Sequence, residues 1–301
     1  MRAERSGKKW LVIAGFLLPS CFGLVLFSVI PIIYSLVISF TDWNGLNQWN
    51  PAAGTPNFIG ADNYAEILRG EEFWRVFRNT AYYIVLYLPL MLVVSIGIAI
   101  LLNKSYRGLS VYRVMYFIPV LTSWVAGALI WRWLLSANYG PVNQLLSFVG
   151  IEGPAWLQDP HWAMPGIVLA SVWKDMGFFS LILLGGLQGI NPSYYEAAQI
   201  DGAGAAQRLL KITLPLLSPI LFFVIIISII NSFQLFPQVM IMTDAGPHGS
   251  TQVMVERIYK LAFKYHKMGY AAAFSWLLFI IIFIFTMIQM RLQKKWVHYD
   301  G

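Results

Sequence analysis

Ser171, Lys174, Asp175 and Phe178 stand at i, i+3, i+4 and i+7 within a long apolar stretch, so a helix there places all four on one face. A lysine and an aspartate in such a stretch are costly against lipid, and that face should turn to neighbouring helices or a water-filled cavity. Successive helical residues point about 100° apart, which leaves Lys174 and Asp175 poorly placed to neutralise each other. Lining a path for a polar solute is one use; a structural pair with another helix is the other. A second stripe, Ser228, Asn231, Gln234 and Gln238 with Ser232 beside it, lies in a later apolar stretch. Pro237 has no N–H to give the Phe233 carbonyl, so that acceptor needs a cavity or water. Hydroxyls, amides and aromatic rings suit a sugar, which offers both hydrogen bonds and an apolar ring face. Polar side chains also hold membrane helices together, and residue type alone leaves both readings open.

Other chemistries find little support. The four histidines (161, 248, 266, 298) and single cysteine, Cys21, form no ligand-type spacing, and no nucleophile–base pair stands out. There is no phosphate-binding G-x-x-x-x-G-K-[ST] loop, and Gly202-Ala203-Gly204 is a fragment of a dinucleotide fingerprint without its strand. The chain reads as a non-enzyme that binds no metal, cofactor or ATP itself.

The elements carrying these residues follow from composition. With 58% hydrophobic and 12% charged residues, the chain falls far below the roughly 25% charged content of a soluble domain. It reads as an all-α integral membrane protein with six transmembrane helices, about 10–40, 82–102, 114–135, 163–187, 214–242 and 270–290. The first run is too long for a signal peptide and lacks a cleavage site; Pro19 and Pro31 should kink or end it. Polar, aromatic loops occupy 41–78, with a short helix near Ala61 to Leu68, and the connections 136–161 and 243–268. The 12 tryptophans, 15 tyrosines and 20 phenylalanines fit aromatic belts at two bilayer surfaces. The +7 net charge is dispersed over short loops, which points to membrane topology rather than nucleic acid.

Six spans put both termini (1–9 and 291–301) and the segment 191–213 on one side. That side carries twelve Lys and Arg against four Asp and Glu; the other, including loop 41–78, carries seven against nine. The positive-inside rule makes the first side cytoplasmic and the second extracytoplasmic.

Segment 191–213 is a polar, small-residue interruption. Asn191 can cap a helix with Pro192 in its first position, and the helix should end at Gly202 or Gly204, where positive φ is tolerated. So short a helix is marginal alone and should dock on a partner. Glu196-Ala197-Ala198, Gly202, and Ile212-x-Leu214-Pro215 resemble the EAA loop of permease subunits in binding-protein-dependent ABC importers. Asp201-Gly202-Ala203-Gly204, Gln207 and Lys211 to Leu217 are similar to the carbohydrate-uptake branch, of maltose and oligosaccharide permease type. Thr243-Asp244-Ala245-Gly246-Pro247 resembles that family's T-x-G-G-P.

The resemblance implies an inner-membrane permease whose cytoplasmic EAA helix couples to ATPases through Tyr195, Glu196, Ala197, Ala198, Asp201, Gly202, Ala203 and Gly204. It implies a second permease subunit, two ATP-binding subunits holding ATP and Mg, and an extracytoplasmic solute-binding protein. Counted onto this chain, the family's substrate path falls on Ser171, Lys174, Asp175, Phe178, Asn231, Ser232, Gln234 and Leu235. Lys174 and Asp175 replace apolar or small residues there, and Pro237 stands where many relatives have an acid. Those departures leave room for a charged or amino sugar, or for a polyol or glycerophosphodiester meeting Lys174. An ion-coupled secondary carrier could also place Lys and Asp at mid-span, but such carriers show internal repeats, and none is found here.

Overall fold

The structure is a computed structural model describing residues 2–50, 55–104 and 108–297, with side chains from residue 12 onward. Arg107, His298 and Asp300, counted above, lie outside the described residues, as do the side chains of Arg2, Arg5, Lys8 and Lys9. The regular secondary structure of the described residues is helical, apart from isolated bridges such as Thr41 with Phe58.

The chain divides into two compact units. The first holds residues up to Gly70 together with Ile258–Leu277. Its α1 (Arg2–Leu24) passes through a π-helical turn, Val25–Val29, into α2 (Ile30–Ser39). Pro19 and Pro31 sit inside this run without ending it. Only 6% of its apolar window is buried, so almost all of it offers hydrocarbon to its surroundings. The short helix expected near 61–68 is α3 (Asp62–Arg69). Asn63 fastens it by donating to the Ser39 and Thr41 carbonyls at 2.9 Å each, satisfying main-chain acceptors freed at the end of α2.

The second unit, Glu71–Arg257 with Leu278–Gly301, holds the polar stripes. Helix α4 (Glu71–Leu102) begins at Glu71 rather than near Tyr82, so the expected loop 41–78 gives its last residues to a helix. Glu71 and Glu72 in its first turn favour that start by facing the positive end of the helix dipole. The span expected at 114–135 is two helices, α5 (Leu109–Leu121) and α6 (Trp124–Leu134), bent by 98°. After α7 (Pro141–Phe148) comes α8 (Ala163–Gln188), the most enclosed of the apolar helices, with 61% of its window buried. Gly177 lets α8 press against α5, since a Cβ there would overlap the Tyr116 carbonyl.

Next follow α9 (Pro192–Ile200), α10 (Ala205–Arg208), a π-helical turn Leu209–Thr213 and α11 (Leu214–Leu216). The expected single span 214–242 is likewise broken. It bends by 70° into α12 (Ser218–Phe233), stops, and restarts at Pro237 as α13 (Pro237–Met242). Proline occupies the first position of α13, where its missing N–H leaves no bond unmade, instead of kinking one continuous helix. α14 (Met254–Tyr259), a π-helical turn and α15 (Met268–Trp296) complete the chain. Among the described residues four helices are long and apolar enough to cross a membrane, and counting each bent pair as one span gives six.

Candidate functional site

The two polar stripes meet where two helices are interrupted. Tyr83 and Tyr87 of α4, Trp124 at the start of α6, Asp175 of α8, Asn231 of α12, Gln234 and Leu235 of the following break, and Pro237 and Gln238 of α13 enclose about 230 Å³. Tyr83 and Tyr87, four residues apart, stack at 5.2 Å on one side of their helix. The Tyr87 hydroxyl donates to Asp175 Oδ2 at 2.7 Å. Gln238 is buried, and among the described residues no group donates to its Oε1. Asn231 and Gln234 keep exposed amides. A carboxylate, three amides and three aromatic rings thus share one cavity: acceptors and donors for hydroxyls, with flat apolar faces beside them.

Asp175, Asn231, Gln234 and Leu235 stand in this wall; the other residues expected along the path do not. Ser171 is buried and donates to the Ile167 carbonyl of its own helix at 2.9 Å. Ser232 does the same to Ser228 at 2.7 Å. Phe178 is exposed on α8, outside the cavity. Lys174 turns to the break between α5 and α6, where Nζ donates to the Pro119 and Val120 carbonyls at 3.0 Å each. Those are terminal carbonyls of α5, and a cation at a helix C-terminus is favoured by charge as well as by hydrogen bonding. The same ammonium lies 5.5 Å from the Trp124 ring centroid, a cation–π distance. On the far side of the break, Ser123 Oγ accepts from Ala126 N–H and caps α6.

Tyr83, Tyr87 and Trp124 were absent from the residues expected along the path. The tyrosine spacing of four was a readable signal. Trp124 becomes readable only once Pro119, Thr122 and Ser123 are taken as a helix end and a new cap, because two small polar residues do not by themselves divide the long apolar stretch around them.

At the other feature singled out in the sequence, α9 forms as its residues dictate. Asn191 Oδ1 accepts from Ser193 N–H at 3.0 Å, with Pro192 in the first helical position. Gly202, at φ +77°, ends it: its N–H reaches the Gln199 carbonyl and that of Ala203 the Ala198 carbonyl, the paired bonds of a Schellman motif. Gly204, the other candidate stop, is extended and opens α10 instead. Glu196, Ala197, Asp201 and Gly204 are exposed, Tyr195 and Ala203 half-buried, and Ala198 buried. Ile200 is 87% exposed, an apolar side chain left uncovered at the tip.

Among known proteins, residues 79–298 match the family model of the binding-protein-dependent transport system inner membrane component. A probable ABC transporter permease of Bacillus subtilis, YesP, is 37% identical over 95% of this chain and 91% of its own length. The trehalose/maltose transport system permease MalF of Thermococcus litoralis is 32% identical over 90% of this chain and 92% of its own. A chain from the crystal structure of a bacterial ABC transporter importing the acidic polysaccharide alginate has the same fold. Its TM-score is 0.83 at 23% identity, covering 98% of this chain and 99% of that one. By residues matched and by relatives, the chain belongs to the family of inner-membrane components of binding-protein-dependent transport systems.

Proposed function

We propose that the chain is one of two permease subunits of an ATP-driven importer for a sugar or oligosaccharide, supplied by an extracytoplasmic binding protein. The observation that carries the sugar reading is the cavity of Tyr83, Tyr87, Trp124, Asp175, Asn231, Gln234 and Gln238. Its mixture of stacking faces and hydrogen-bonding groups matches a polyhydroxylated ring. A relative named for trehalose and maltose transport agrees with that class. At about 230 Å³ the cavity is smaller than the roughly 300–1,000 Å³ of a complete ligand pocket, as expected when a second permease supplies the facing wall.

Charge narrows the class. Asp175 is the charged residue of the cavity wall, while Lys174, which would have welcomed an anion, is engaged by the carbonyls of α5. A glycerophosphodiester would meet a carboxylate and no cation. Neutral and amino sugars fit.

In this reading α9 is the helix the ATPases grip. Glu196 offers a charge, Ile200 an apolar tip, and Gly202 the turn returning the chain to the membrane. The dense Lys and Arg on that side support a cytoplasmic position for it and for both termini. ATP and Mg then sit on the partner subunits, and ATPase closure moves α9 and α11, rocking α12 and the cavity between outward and inward access.

The test is uptake by the complete importer in proteoliposomes. Asn231→Ala with Gln238→Ala should lower sugar uptake while ATP hydrolysis without sugar persists. Unchanged uptake with the double variant would sink the reading.

A further inference from the structure

A second cavity of about 460 Å³ lies between the end of α4, the end of α8 and the α9–α11 region. Ile100, Leu187 and Leu209 give it apolar walls, and Lys104 and Arg208 bring two cations to it. Among the described residues neither cation has an acidic partner within salt-bridge distance. Neither is needed by the sugar cavity, whose walls are different residues. Apolar walls with unpaired cations at the end of membrane-spanning helices match an amphiphile whose head is negative and whose tail is hydrocarbon.

We propose that this cavity binds the phosphate headgroup of an anionic phospholipid, with its acyl chain along Ile100, Leu187 and Leu209. The proposal rests on the cytoplasmic placement of α9, because anionic lipid at that surface is what juxtamembrane cations attract. Tyr195 of α9 lines the same cavity and its hydroxyl lies 3.1 Å from Thr213 Oγ1, so the lipid touches the segment that meets the ATPases. Coupling efficiency therefore depends on lipid charge.

The experiment purifies the whole importer, wild type and Lys104→Gln/Arg208→Gln, from mixed phosphatidylglycerol and phosphatidylcholine. Retained lipid is weighed by native mass spectrometry. Wild type should hold phosphatidylglycerol in preference to phosphatidylcholine, and the double variant should retain it roughly tenfold less. Wild-type uptake should be faster in vesicles containing phosphatidylglycerol, and the variant should lose that advantage. Equal retention of both lipids by wild type overturns the proposal. So does complete displacement by inorganic phosphate, which would mark a free-anion site. Loss of the ATPase subunits from the variant also overturns it, since the cations would then be a protein contact. Retention is read without sugar or ATP, so failure of the sugar reading leaves this result interpretable.

Discussion

Tyr87 and Asp175 are joined by a 2.7 Å hydrogen bond from the phenol to the carboxylate, which ties α4 to α8 inside the cavity wall. Hydrogen bonds to charged groups contribute about 1.5–3 kcal/mol. Tyr87→Phe should therefore lower the melting temperature of the assembled importer and slow uptake by about tenfold or more. Asp175→Asn keeps an acceptor for the phenol but removes the charge. It should leave the melting temperature near wild type while reducing uptake, most for an amino sugar. Identical uptake of neutral and amino sugars by wild type and Asp175→Asn would argue against a role for the charge.

Lys174→Met removes the donor to Pro119 and Val120; the Pro119 carbonyl keeps the N–H and Oγ1 of Thr122, while the Val120 carbonyl loses its charged donor. An unsatisfied buried polar group costs about 1–3 kcal/mol. The variant should melt earlier and bind sugar more weakly through a displaced Trp124. Lys174→Arg, which retains donors, should recover part of both. Thermal denaturation and sugar-dependent quenching of tryptophan fluorescence on the intact complex measure the two effects; wild-type values for Lys174→Met would remove Lys174 from this role.

Gly177→Ala adds one methyl where α8 presses on the Tyr116 carbonyl. The helices must part, at about 1–3 kcal/mol for an overpacked site. A lower melting temperature is expected, and Gly185→Ala, which meets open space on the same helix, serves as the control.

Glu196→Ala and Gly202→Val separate coupling from folding in α9. Glu196 is exposed, so its loss should leave stability unchanged and reduce ATP-driven uptake. Gly202 holds φ +77°, a conformation that a β-branched residue adopts only with strain, so Gly202→Val should also weaken complex assembly. Full uptake by both variants would contradict engagement of α9 by the ATPases.

What could be read in advance depended on which physics governs each feature. Six apolar stretches are visible because crossing hydrocarbon requires length and apolarity, and both are properties of composition. The start, cap and stop of α9 were visible because Asn191, Pro192 and Gly202 act on their immediate neighbours. The breaks after Leu121 and Phe233 were not, because only Thr122, Ser123 and Gln234 interrupt stretches that stay apolar on both sides while the main chain turns. Pro119 and Pro237 marked both places, yet proline alone does not tell a kink from a fresh helix. The direction of Lys174 was hidden for a related reason: its partners are carbonyls, which every residue carries. Asp175, Asn231 and Gln234 could be picked out as polar residues in apolar stretches, but which of them share a space depended on those breaks.

That lysine's choice of partner bears on how such a chain can change over generations. Main-chain oxygens at 119 and 120 survive any substitution that preserves the turn, so the latch holding α5 to α8 places little demand on the side chains there. Trp124, Asn231 and Gln234 can then be exchanged with the break still pinned in place. Descendants of one gene can take up a new cargo by altering a few wall residues, without first having to find a new way to fold.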